Sequence, residues 1–285
     1  MRDFSHSTAH LALNTATLGH NMPGAGAGWS PEQTLDACAR RGIGGIVFWR
    51  PEIEGRAVAI GQYARQVGVK VVGLCRAPFL TGPLSFKNNT EITDDFRKAI
   101  DETASLGGSI LTIVVGGVEV GTKGVRESLK RVAEHLASVL AYAAQRDVRL
   151  ALEPLHPMYG GDRSCLTTTR DALDLCDQLA DPNIGIAIDV YHVWWDTDFS
   201  RQIARAQGRI FGFHLCDWLA HTTDFLLDRG MMGDGVADLK SLRMSVEKEG
   251  YTGFCEVEIF SEHNWWKRDP NEVLDIIVER FHTVC

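Results

Sequence analysis

Four residues able to hold a cation stand at the ends of four separate apolar runs. The runs read Leu150-Ala-Leu-Glu153, Ile186-Ala-Ile-Asp189, Ile210-Phe-Gly-Phe-His214 and Phe254-Cys-Glu-Val-Glu258. Short apolar runs rich in β-branched or aromatic residues read as strands buried on both faces. In a barrel of parallel strands the C-terminal ends converge on one mouth, where catalytic groups gather. Three carboxylates and an imidazole suit a divalent ion such as Mn²⁺, Mg²⁺ or Co²⁺ better than an all-sulfur zinc site would. The spacings of 36, 25 and 44 residues each fit one βα unit, which assigns the four groups to strands five to eight. The bland alternative for any one of them is a strand-end carboxylate facing solvent or a helix N-terminus, and four in succession argue against it. Glu256 alternates onto the same face as Glu258; Glu258 is taken as the ligand because it closes the run. A metal-dependent enzyme is the expectation.

Further polar residues follow these run ends. His192 lies three residues past Asp189 and His156 three past Glu153, on loops expected over the site. They would hydrogen-bond substrate hydroxyls or orient a ligand; the alternative for His156 is an ordinary loop histidine. Asp217, in His-Leu-Cys-Asp, suits contact with substrate or metal-bound water. Arg229, in Asp228-Arg229-Gly230, suits an oxygen anion or carbonyl of the substrate. Trp218 and the Trp265-Trp266 pair offer indole faces for the C–H side of a sugar ring, or else loop packing or a subunit contact. Cys216, two residues beyond His214, reads as a packed thiol before a sulfur ligand.

The elements that must position these groups recur every 25 to 45 residues. Strand-like runs span 11–16, 45–50, 70–75, 109–115, 148–153, 184–189, 209–215 and 254–259. Between them lie helical signals. Ser30-Pro31-Glu32-Gln33 offers an N-cap, a first-turn proline and a capping-box partner. Residues 91–106 and 125–145 carry apolar positions at helical spacing, and Asp269-Pro270-Asn271-Glu272 opens a last helix. Gly42, Gly107 and Gly250 follow helices where a left-handed cap is wanted. Eight βα units without an internal linker predict one (β/α)8 TIM barrel over residues 1–285. The alternative, an open doubly wound sheet, would carry a glycine fingerprint after its first strand. The stretch from Gly19 to Gly28 has no clean one.

Composition narrows the function classes. The chain has 285 residues, a formal charge of −8 and 45% hydrophobic residues, enough for a large core. An acidic chain is poorly suited to nucleic acid, which needs clustered lysine and arginine. No run of about 20 apolar residues calls for a membrane. The seven cysteines are scattered without a CxxC motif, which fits free thiols in a reducing compartment. The expectation is a cytoplasmic enzyme for a small polar molecule.

At Leu152-Glu153-Pro154, Asp189-x-x-His192, His214 and Glu258-Ile259-Phe260 the chain resembles the xylose-isomerase-like superfamily of barrels. Within it, the resemblance is to sugar phosphate isomerases and epimerases, including ketose 3-epimerases and inosose dehydratase. It runs over almost the whole chain and is strongest from Leu150 to Phe260. It implies one divalent ion, usually Mn²⁺ with Mg²⁺, Co²⁺ or Zn²⁺ as alternatives, held by Glu153, Asp189, His214 and Glu258. It also implies that Glu153 and Glu258 act as paired acid and base. The implied function is isomerisation or epimerisation of a keto-sugar through a metal-stabilised enediolate; a dehydratase or lyase on a keto-inositol or 3-keto-glycoside is the alternative. A non-catalytic sugar-binding barrel ranks lower. The related apurinic endonucleases need additional histidines, and Leu74-Cys75-Arg76, Val115-Gly116-Gly117 and Asp228-Arg229-Gly230 lack them. The loop after Glu153 carries His156, Asp162 and Arg163 in place of the second glutamate of ketose 3-epimerases, which points away from free ketohexoses. Family analogy also implies a homo-oligomer.

Overall fold

Eight short strands, each followed by a crossover that returns the chain to the same end, can satisfy every backbone polar group only by pairing all round. The computed structural model, which describes residues 2–86 and 88–285, shows that solution. The strands are β1 (Leu11–Asn14), β2 (Gly45–Trp49), β3 (Lys70–Cys75), β4 (Ile110–Ile113), β5 (Arg149–Leu152), β6 (Ile184–Asp189), β7 (Ile210–Leu215) and β8 (Cys255–Val257). Each pairs in parallel with the next, and β8 pairs with β1 through Ala12↔Glu256, so the sheet is a closed barrel. Closure excludes the open-sheet alternative. The chain is thus a single-domain (β/α)8 barrel. Several strands are one to three residues shorter than their apolar runs, because the ladder stops where the chain turns into a loop.

The main helices around the barrel are α1 (Pro31–Arg40), α2 (Ala57–Val67), α3 (Asn89–Leu106), α4 (Arg126–Gln145), α5 (Thr169–Leu179), α6 (Phe199–Ile203), α7 (Leu239–Lys248) and α8 (Pro270–Thr283). The capping box of α1 forms as its sequence requires. Ser30 Oγ accepts from the Gln33 N–H at 3.2 Å and Gln33 Oε1 accepts from the Ser30 N–H at 2.9 Å. Gly42, Gly107 and Gly250 all take positive φ just past helices.

Alternation along the strands sorts their residues into two layers. Leu11, Leu13, Ile46, Phe48, Leu111, Ile113, Leu150, Leu152, Ile186 and Ile188 belong to the main core, between strands and helices. Their neighbours Ala12, Val47 and Val72 form one small cluster, and Ala151, Ala187 and Phe211 another. The same alternation brings Asn14, Glu153, Asp189, His214, Glu256 and Glu258 to the upper end, all of them buried. Among the described residues no helix is long and apolar enough to cross a membrane.

Gly185 in β6 tests how tightly the wall is built. A Cβ placed there would lie 2.3 Å from the backbone oxygen of Arg209 and 2.7 Å from the Phe211 ring. Gly185→Ala should therefore destabilise the protein by about 1–3 kcal/mol, read as a lower urea midpoint. An unchanged midpoint would show that the wall gives way freely.

Candidate functional site

Strand register assembles the centre. Asp189 pairs with His214 across β6 and β7, and His214 pairs with Glu256 across β7 and β8. Glu153 and Glu258 stand one residue beyond their strands, but their N–H groups still donate to Ile113 and Leu215 at 3.0 Å each. One ligand atom from each of Glu153, Asp189, His214 and Glu258 lies within 4.8 Å of the others, and all four residues are buried. Oxygen and nitrogen donors about 2.1 Å from a shared ion sit up to about 4.2 Å apart, so modest closure of this cluster would fit one divalent ion. The donor set, three carboxylates and one imidazole without a thiolate, is of the oxygen-rich kind.

The electrostatics are strained by burial. His214 Nδ1 is 2.8 Å from Glu153 Oε1 and 3.8 Å from Glu258 Oε2, while its Nε2 is 3.4 Å from Glu256 Oε2. Burial disfavours the imidazolium, but Glu256, Glu153 and Glu258 outweigh it and raise the His214 pKa well above the usual value. Burial also pushes the Glu258 carboxyl well up, with Glu153 adding to the effect and Arg229 partly opposing it. The Glu256 carboxyl is raised by burial too, against the pull of His214. Burial acts on Asp189 in the same sense, yet Arg229, with help from His192 and His214, leaves its pKa below the ordinary value.

Arg229 is the principal cation of this arrangement. It is 3% exposed, and its Nη1 donates to Asp189 Oδ2 at 2.8 Å and to Glu258 Oε2 at 3.4 Å. Its guanidinium lies between the rings of Tyr191 and Phe260, 4.5 and 4.4 Å from their centroids. His192 sits beside it, with Nε2 3.6 Å from Asp189 Oδ2, while its Nδ1 accepts from the His156 N–H at 3.2 Å. That acceptor role assigns the proton of the neutral ring to Nε2. Burial drives the His192 pKa down to about 3 despite the nearby Asp189.

Other expected contacts are placed differently. Asp217 is buried with both oxygens committed to backbone: Oδ1 accepts from Trp218 and Ala237, and Oδ2 from Gly233. It builds the loop after Arg229 and does not line the cavity. The His156 side chain is turned away from the centre. It accepts from the Met158 N–H and stacks on Trp218 at 5.1 Å. Trp218 packs against His156, Tyr191 and Trp194 outside the cavity lining. Trp265 and Trp266 are likewise buried, and Trp266 donates to the Ala16 carbonyl. Cys216 donates to Asp189 at 3.8 Å, and burial keeps it a thiol.

Sequence reasoning passed over Asn14. Its Nδ2 donates to Glu256 at 2.7 Å and to Glu258 at 3.0 Å, and its Oδ1 accepts from Trp49 Nε1 at 2.8 Å. The signal was present, since Asn14 closes the apolar run Leu11-Ala-Leu. Glu153, His192, Arg229 and Glu258 line a cleft of about 530 Å³, including its open mouth, together with Trp49, Arg76, Tyr159 and Arg163.

The match to the xylose isomerase-like TIM barrel model covers residues 35–277, and the chain belongs to that family. A protein of Sinorhizobium meliloti 1021 with a solved crystal structure is 42% identical, with a TM-score of 0.89 over 98% of this chain and 99% of that one. The L-ribulose-5-phosphate 3-epimerase of Salmonella paratyphi C is 23% identical over 210 residues, 72% of this chain and 70% of the relative. The IolI protein, solved with a bound zinc atom, shares the fold with a TM-score of 0.79 at 19% identity, over 95% of this chain and 96% of that one.

Two measurements probe this charge arrangement. Arg229→Met should destabilise metal-stripped protein by about 3–5 kcal/mol in urea unfolding, because it leaves buried carboxylates unpaired. A change within experimental error would mean that the pairing contributes nothing. His192 is held neutral in the fold, so its contribution is full above the unfolded pKa of about 6.5 and is lost as pH falls toward 3. Between about pH 6 and pH 4, wild type should lose about 1.4 kcal/mol per pH unit more than His192→Asn. Parallel stability curves would contradict the neutral assignment.

Proposed function

We propose that this protein is a divalent-metal-dependent isomerase or epimerase of a small keto-sugar. The observation that carries the reading is the convergence of Glu153, Asp189, His214 and Glu258 on one buried point, with Glu153 and Glu258 also lining the adjoining cleft. These four residues would hold the ion, with Mn²⁺ favoured by the oxygen-rich donor set. When bound, such an ion polarises a ketone and its neighbouring hydroxyl and stabilises the enediolate left by loss of a carbon-bound proton. A zinc-bearing relative of the same fold and a relative named as a 3-epimerase support this reading.

The chain's own groups supply the proton transfers. Each glutamate has two oxygens, so one can ligate while the other faces the substrate. Glu153 removes a proton from carbon and Glu258 returns one, or the reverse. Return to the opposite face of the same carbon epimerises, and return to the neighbouring carbon, with the hydroxyl proton passing to the former ketone oxygen, isomerises. His192 Nε2–H and Arg229 line the cleft within reach of substrate oxygens and hold the ketose in register. Asn14 fixes the rotamers of Glu256 and Glu258 from below. Glu256, facing His214 Nε2, holds that ring with Nδ1 toward the other ligands.

Elemental analysis of wild type and Glu258→Gln, after incubation with Mn²⁺, should show about one divalent ion per chain in wild type and little in the variant. Exchange of a substrate C–H proton with D₂O across a panel of ketoses should be slowed about a hundredfold or more in Glu153→Gln. Failure of wild type to retain any metal would sink the mechanism. Loss of water from a keto-inositol, in place of simple exchange, would assign the lyase reaction instead.

A further inference from the structure

The cleft is electrically lopsided. Its floor carries the carboxylates of Glu153 and Glu258, while Arg76 and Arg163 stand on its lining as well. Arg76 follows the end of β3, and Arg163 lies on the loop between β5 and α5. The other arginines of the described residues that are not fully exposed are tied to carboxylates. Arg229 is bound to Asp189, Arg50 to Asp95 and Glu102, and Arg243 to Glu247. Arg76 has no carboxylate within ion-pair distance among the described residues. It donates to the neighbouring Ala77 carbonyl at 3.0 Å, and its Cζ lies 3.6 Å from the Phe79 ring centroid. Arg163 reaches only its own neighbour Asp162, at 3.8 Å, with both side chains partly exposed.

Two like charges facing one partly enclosed space oppose each other. Burial pulls the Arg76 pKa down to about 10, and Arg163 adds to that, yet the group remains cationic at neutral pH. The ring of Phe79 packs against the Arg76 guanidinium and holds it at the cleft lining. A planar fork held this way presents paired N–H donors suited to a carboxylate or phosphate. Phe79, Val114, Leu155 and Tyr159 form an apolar cluster alongside, which lowers the local dielectric and strengthens an ion pair made there.

We propose that Arg76 and Arg163 form a subsite for an anionic substituent, so that the substrate is a small α-hydroxy ketone bearing a phosphate or a carboxylate. This deepens the proposed function and rests on it for the ketone end. The anion would sit against the arginines while the reacting carbons lie over Glu153 and Glu258. In a chain of net charge −8, such a subsite also supplies the local positive potential that admits an anion to an acidic centre.

The subsite can be tested apart from the chemistry. Metal-loaded protein would be titrated calorimetrically with inorganic phosphate and, separately, with acetate, using wild type, Arg76→Gln and Arg163→Gln. Metal content and thermal midpoint would be measured on each sample. At least one anion should bind wild type, and each variant should weaken it about tenfold or more at unchanged metal content. Tighter binding of phosphate than acetate names a phosphorylated substrate, and the reverse names a keto acid. Arg163, being partly exposed, keeps the test valid if Arg76→Gln folds poorly. The same affinity in wild type and both variants, or no binding of either anion, overturns the subsite. Anion binding that is lost in the variants, in a protein that exchanges no ketose proton, keeps the subsite and removes the isomerase reading.

Discussion

Everything at the top of this barrel depends on neutralising negative charge that has been taken out of water. Glu153, Asp189, Glu256 and Glu258 are all buried around His214 and Arg229. A buried carboxylate without a partner is costly enough to choose protonation over ionisation, and the raised Glu256 and Glu258 carboxyls express that pressure. His214 and Arg229 relieve part of it. The remaining excess of negative charge is what a divalent cation would complete. The same imbalance that strains the fold therefore defines the chemistry proposed for it.

The barrel makes this concentration of charge geometrically available. Parallel pairing aligns all strand ends in one direction, and the register that places Asp189 beside His214 and His214 beside Glu256 leaves little freedom in where the groups point. Loops then finish the site from outside. The segment from Asp217 to Arg229 doubles back through the Asp217–Gly230 bridge, and the Arg229 N–H is tied to the Phe260 carbonyl. Asp217 serves by holding that loop, so it acts on Arg229 through the backbone. The aromatic group of Trp194, Trp218 and His156 stiffens the neighbouring wall.

The expectations for the site divide along a physical line. Glu153, Asp189, His214 and Glu258 were legible because each interrupts an apolar run at a position where strand geometry leaves a side chain one of two directions. His192 was legible from its distance to Asp189, since a single helical turn follows that strand. Asp217, Trp218 and His156 lie on loops, where spacing does not fix direction, and their side chains found backbone or aromatic partners instead. Arg76 carried no signal as a cleft residue, because an arginine after a strand is most often solvated. Its place on the cleft lining, half-buried and without a carboxylate partner among the described residues, marks it out, and that is a property of the folded surroundings.

The amino-acid sequence by itself determined the eight βα units, the parallel barrel that they close into, the capped helices and the identity of the four converging polar groups. These follow from local periodicity, turn chemistry and burial, which act over a few residues at a time. The tertiary structure decided which oxygen faces which nitrogen, that Asn14 and Glu256 support the centre, that Arg229 pairs with Asp189, and that Arg76 and Arg163 share one cleft. Such outcomes depend on side chains from 40 to 242 residues apart competing for the same partners in a desolvated space, and no local pattern encodes that competition.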